Sequence, residues 1–142
     1  MTQRRLAREA ALETLYRLEL VGDEPDETID EILARKNPTS EAEEYLRRLL
    51  QAVQANREEI DRMLSRHLRR WRLERLRYLD RGILRVACAE MLFFEDVPPK
   101  VSINEAVDIS RKFGDDDSGR FVNGVLDGIY RELLSEKQEP AE

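Results

Sequence analysis

Residues 101–130 read VSINEAVDISRKFGDDDSGRFVNGVLDGIY, and the stretch spells two helices with a polar turn between them. Ser102 with Glu105 has the spacing of a capping box, in which each side chain satisfies an orphan amide of the first helical turn. Ala106, Ile109 and Phe113 follow at helical spacing, and Gly114 stands where a left-handed residue can end the helix. Asp115, Asp116, Asp117 and Ser118 then form a turn whose last hydroxyl can cap the next helix. Phe121, Val122, Val125, Leu126, Ile129 and Leu133 make an apolar stripe wide enough for a core. Gly124 interrupts that stripe at a cost of about 1 kcal/mol relative to alanine. Two readings of it stay open: close approach of another helix, or approach of a ligand to the backbone.

The rest of the chain agrees with an all-α fold. Its 142 residues fit one domain, with 38% charged, 41% apolar and only 6% aromatic residues. Arg, Glu, Leu and Ala dominate, as in a helical bundle rather than a sheet. There is no apolar run of membrane-spanning length and no signal-like N-terminus, which predicts a cytoplasmic protein. Cys88 and His67 are each the single residue of their type. Cys88 lies among Leu84, Val86, Ala87 and Ala89, where a buried inert thiol is expected. Zinc sites built from Cys and His are excluded, and no cofactor or metal is expected.

About seven helices are legible. Residues 3–20 carry Ala7, Ala11, Leu15 and Leu18 on one stripe, with Tyr16 beside it as a core or contact residue. Asp26 is placed to cap a short acidic helix ending before Asn37-Pro38. Ser40 with Glu43 forms a second capping box, opening a helix with Tyr45, Leu46, Leu49, Leu50 and Val53 inward. Asn56 marks a break or bend before Ile60, Met63 and Leu64. Residues 67–76 surround Trp71 with arginines; the tryptophan is expected to plug a groove between helices, with base stacking as the other reading. Residues 78–94 form the most apolar helix, expected at the centre of the bundle with Arg81 and Arg85 on its exposed side. The chain divides by this reading into an N-terminal helical subdomain (1–70), a C-terminal one (71–135) and a frayed tail (136–142).

The net charge of −6 is unevenly spread: residues 21–44 stand at −7 and residues 47–85 at +7. An acidic protein can therefore still turn a basic face to phosphate. Arg4, Arg5 and Arg8 crowd the first turns of a helix, the end where the macrodipole disfavours cations. No phosphate-cradling glycine loop, nucleophile elbow or metal spacing is present, and nothing points to an enzyme. A basic N-terminal helix and a Ser/Asp turn before a helix fit single-stranded RNA, whose unstacked bases expose donor edges to carboxylates.

Several motifs carry a family resemblance. Arg4-Arg5-Leu6-Ala7-Arg8-Glu9 with Ala11, Leu15 and Tyr16 is similar to the N-terminal signature of the NusB family of bacterial transcription antitermination factors. Leu79-Asp80-Arg81-Gly82-Ile83-Leu84-Arg85-Val86-Ala87 with Glu90 resembles its central helix. Val97-Pro98, Val101, Ile103-Asn104-Glu105-Ala106-Val107, Phe113 and Phe121-Val122-Asn123-Gly124-Val125-Leu126-Asp127 resemble its C-terminal signature. Leu6 departs from the pattern, where a third consecutive basic residue is sometimes seen.

The resemblance implies two small helical bundles packed together. It implies a partner, NusE, which is a small-subunit ribosomal protein, and a shared ligand, the boxA element of ribosomal RNA leaders. The other Nus factors and RNA polymerase complete the implied assembly. By the same resemblance Arg4, Arg5 and Arg8 take phosphates, while Arg85, Asp117 and Phe121 contribute to the RNA surface. Tyr16, Asp80 and Phe113 face NusE. Two alternatives remain. A similar helical domain accompanies some ribosomal RNA cytosine methyltransferases, although 142 residues leave no room for a cofactor-binding α/β domain. The third reading is a purely protein-binding helical module. Apolar helical faces also permit a homodimer.

Overall fold

The computed structural model describes residues 2–138. They form seven α-helices: α1 (Gln3–Leu20), α2 (Pro25–Lys36), α3 (Ser40–Ala55), α4 (Arg57–Arg66), α5 (Tyr78–Phe93), α6 (Pro99–Phe113) and α7 (Asp116–Gln138). A single 3₁₀ turn at Leu73–Arg75 sits between α4 and α5, and no strand occurs among the described residues. The expected tail is helical as far as Gln138; its remainder, 139–142, lies outside the described residues.

The helix centre is α5, which packs against α1, α3, α4, α6 and α7. Every residue from Asp80 to Met91 is buried. Leu84, Leu46, Leu49, Ile60, Leu64, Leu126 and Ile129 are fully buried in one continuous core. Each such side chain stabilises the fold by about 1.5–3 kcal/mol relative to exposure. Two close approaches need glycine. A Cβ on Gly82 would stand 2.7 Å from Leu12 Cδ1, so α1 and α5 cross tightly there. A Cβ on Gly128 would stand 2.7 Å from His67 Nδ1, where the ring pairs with Glu132.

Several helix ends differ from the sequence reading, for local reasons. Thr39, not Ser40, caps α3 by accepting from the Ala42 amide at 3.1 Å. Glu24 precedes α2 without a side-chain cap, and Pro25 rather than Asp26 sets its start. Pro99 opens α6, since its fixed φ suits the first helical turn. Ser102 is therefore inside α6 and buried, and Glu105 faces α1 instead of reaching back. Gly114 has φ −115° and ψ −119°, so it is not left-handed. Asp115 caps α7, accepting from the Ser118 amide at 2.8 Å, which leaves the Ser118 hydroxyl free to accept from Arg77. Gly124 is exposed, with nothing within 4 Å of a Cβ placed on it. Close helix packing is thus not its reason. Trp71 does not plug a groove: Leu68 and Leu73 are buried on either side of it, and their anchorage turns the indole outward, 58% exposed.

Candidate nucleic-acid interface

The arginines of α1 are already committed to carboxylates. Arg8 is 3% exposed and donates to Glu90 at 2.9 Å and to Glu105 at 3.0 Å. Tyr45 also donates to Glu90, and burial, then this carboxylate, pushes its phenol above the ordinary range. Arg5 donates to Glu105 and to Asp108 at 3.0 Å. Arg4 is more open; it meets Asp96 at 3.3 Å and lies 4.6 Å from the centre of the Tyr45 ring. Arg48 reaches the same Asp96 at 2.7 Å and holds its carboxyl down to about 2. Arg4 with Arg48 therefore forms a half-exposed cationic edge, while Arg8 is sealed beneath it.

The expected exposed Arg81/Arg85 face is absent, because α5 is surrounded on every side. Arg85 is 7% exposed and donates to Asp61 of α4 at 2.9 and 3.0 Å and to Glu19 of α1 at 3.3 Å. Arg81 pairs with the same Glu19 at 2.8 Å and donates to the Glu74 carbonyl at 3.2 Å. Both guanidiniums staple α5 to its neighbours.

Asp80, Asp117 and Phe121 come together. They line a cleft of about 420 Å³ between the 3₁₀ turn and the first turns of α7, with Trp71, Arg75, Leu76, Arg77, Asp115 and Ser118. Asp117, Phe121 and Gly124 follow i, i+4, i+7 spacing and so share one face of α7. Asp117 is exposed and pairs with Arg120 one turn on. Arg77 ties the cleft together, donating to Asp80 at 3.2 Å and to the Ser118 hydroxyl. The Ser118 amide holds the Asp115 carboxyl below its usual range. Carboxylates and arginines line it side by side, Asp80 on Arg77 within the cleft and the exposed Asp117 on Arg120.

Tyr16 and Phe113 lie elsewhere, on a neighbouring depression of about 340 Å³ with Leu12, Leu79 and Lys36. They are 43% and 50% exposed, large apolar surfaces that invite a protein partner. Tyr16 also meets Tyr78 edge-on, ring centres 6.2 Å apart. Asp80 lines the cleft, while its neighbour Leu79 lines the depression with the two aromatic rings. Arg75 and Arg77 were not singled out from the sequence as site residues, and Trp71 carried base stacking only as its second reading. The signal available was the loss of helical periodicity across 67–76, which marks surface backbone. Cys88 is fully buried, and burial pushes its thiol up to about 12, so no thiolate is at hand. Among the described residues no cluster of His, Cys, Asp or Glu is placed to hold a metal, and no helix is long and apolar enough to cross a membrane.

A family model described as the NusB family matches residues 5–131. The transcription antitermination protein NusB of Bacillus licheniformis is 42% identical over 131 residues, 92% of this chain and 98% of the relative. A chain in the crystal structure of a plectonemic RNA supercoil has a TM-score of 0.87 at 36% identity, over 94% of this chain and 98% of its own. A chain in the structure of antitermination factors NusB and NusE in complex with dsRNA has a TM-score of 0.84 at 36% identity, over 93% and 98%. Whole-length agreement in sequence and in helix arrangement makes this chain a member of the NusB family.

Proposed function

We propose that this protein acts in transcription antitermination, binding boxA-bearing RNA jointly with NusE and carrying out no reaction of its own. The supporting observation is its whole-chain likeness to a NusB held with NusE and RNA. The helical scaffold supplies two adjacent surfaces of different chemistry. The cleft of Asp80, Asp117 and Phe121 takes RNA, and the Tyr16/Phe113 depression takes NusE. Asp117 accepts from base amino groups rather than attracting phosphate.

Arg4 and Arg5 serve phosphates at the edge of this surface, in exchange with Asp96 and Asp108. Arg8 and Arg85 act by position: buried in their ion pairs, they fix α1 against α5 and α6, and α5 against α4. Asp80, buried beside Arg77, orients the cleft wall next to the NusE face. The boundary near residue 70 separates helices α1–α4 from the half, 71–135, that forms most of the cleft. The site of action is the cytoplasm, where transcripts emerge, with the other Nus factors and polymerase assembling around the complex.

Titration of a labelled boxA oligonucleotide with and without NusE tests this. Tight binding to boxA that NusE strengthens, and weaker binding to a scrambled oligonucleotide, is the expected result. Equal affinity for both sequences under all conditions would contradict it.

A further inference from the structure

Among the described residues, the largest run of cations without carboxylate partners is not where the sequence placed the basic site; Arg62 and Lys100 stand apart from it. Arg4, Arg5, Arg8, Arg81 and Arg85 all hold acids. Arg69, Arg70, Arg72 and Arg75 are exposed and carry no carboxylate at salt-bridge distance among the described residues. These four flank Trp71, whose indole is open to solvent on the rim of the cleft that Phe121 also lines. The fold gains little from a large ring in that position, because Leu68 and Leu73 already anchor the segment.

Asp80, Asp115 and Asp117 line the cleft together with Arg75 and Arg77, Asp80 held by Arg77 and Asp117 by Arg120. The carboxylate oxygens not taken up by these arginines accept from amino groups, which suits an occupant that offers N–H donors. An open aromatic ring with carboxylate acceptors on one side and carboxylate-free arginines along the same segment matches one nucleotide of a single strand: base on the ring, backbone along the arginines. We infer that Trp71 is the stacking platform for an unpaired, amino-bearing base of the bound RNA, with Arg69, Arg70, Arg72 and Arg75 following the adjoining phosphates. The inference rests on the RNA-binding reading above and deepens it. Adenine, cytosine and guanine carry the exocyclic amino group and uracil does not, so an oligonucleotide with uracil at the stacked position binds more weakly.

Trp71 is the only tryptophan of the chain, so its emission reports on this cleft alone. The test pairs anisotropy of a fluorescein-labelled boxA oligonucleotide with tryptophan emission, in the presence of NusE, using W71F as the emission baseline. RNA is expected to change Trp71 emission along the same isotherm as the anisotropy. W71A should weaken binding about 5- to 150-fold, the range for loss of one stacked base, with unchanged melting temperature, and W71F should retain most of the affinity. Replacing the four arginines with alanine should flatten the slope of log K against log salt by about 3, at roughly 0.7 per contact. Binding seen by anisotropy with unchanged Trp71 emission and an unaffected W71A overturns this inference and leaves the RNA-binding reading standing. An emission change produced by NusE alone, with RNA affinity unaffected in W71A, overturns it in favour of a protein occupant. No anisotropy change in the wild-type protein overturns both.

Discussion

The Arg8 guanidinium lies 2.9 Å from the Glu90 carboxylate, and neither side chain is more than 4% exposed. Tyr45 from α3 and Glu105 from α6 complete the group. One arginine of α1 thus links three other helices. Removing one partner of a buried pair strands the other's charge at a cost of about 3–5 kcal/mol. Arg8→Ala should therefore lower stability by about that amount in urea unfolding, with little dependence on salt. Folded Arg8→Ala protein should retain the salt slope of RNA binding. A variant of wild-type stability with a flattened slope would return Arg8 to the phosphate contacts.

Asp96 gives the pH dependence a sign. Arg48, through its side-chain hydrogen bonds, holds that carboxyl down from 3.8 to about 2. A carboxylate held below its unfolded value adds stability that is complete above pH 3.8 and is lost as the pH falls towards 2. Arg48→Ala should move the Asp96 carboxyl back towards 3.8 in an NMR titration and reduce the acid sensitivity of the unfolding midpoint in that window. An Asp96 titration unmoved by the substitution would contradict the pairing.

Gly124 and Gly82 should respond in opposite directions to alanine. Gly124 is exposed inside α7 and its Cβ would meet nothing, so Gly124→Ala should raise stability by about 0.5–1 kcal/mol. Gly82→Ala should lower it, because the new methyl would stand 2.7 Å from Leu12 Cδ1. Gly124 shares its face of α7 with Asp117 and Phe121, so RNA affinity should fall in the more stable variant. Thermal melts and RNA titrations on the same samples check both halves.

Asp117→Asn keeps the shape of the side chain and turns one acceptor oxygen into a donor. If Asp117 reads a base amino group, the preference for boxA over a scrambled oligonucleotide should drop by about 1–3 kcal/mol. An unchanged ratio of the two affinities would remove Asp117 from the reading surface.

The helices were legible because burial imposes a period: Leu46, Leu49, Leu50 and Val53 can share a side only in a helix, and all four are buried. Helix ends were less so. Hydroxyls and acids cluster within a few residues of α3, α6 and α7, and the choice among Thr39 and Ser40, or Asp115 and Ser118, turns on backbone geometry that composition does not encode. The site was half legible. Asp117 and Phe121 lie four apart on one helix, so their shared face followed from spacing alone. Whether an arginine is free depends on acids brought from afar: Glu90 is 82 residues from Arg8, and Glu19 is 66 from Arg85. No local pattern reveals those pairs. Trp71 was misplaced for a related reason, since its outward turn is set by Leu68 and Leu73 docking beside it.

RNA bases on the cleft between the 3₁₀ turn and α7, with Arg4 and Arg5 serving phosphates only at its edge, is the central claim. Ultraviolet crosslinking of unmodified boxA RNA to the complex with NusE, followed by peptide mapping, tests it most directly. Crosslinks to residues 69–77 and 115–124 are expected. Crosslinks confined to residues 3–8, with none on either segment of the cleft, would contradict it.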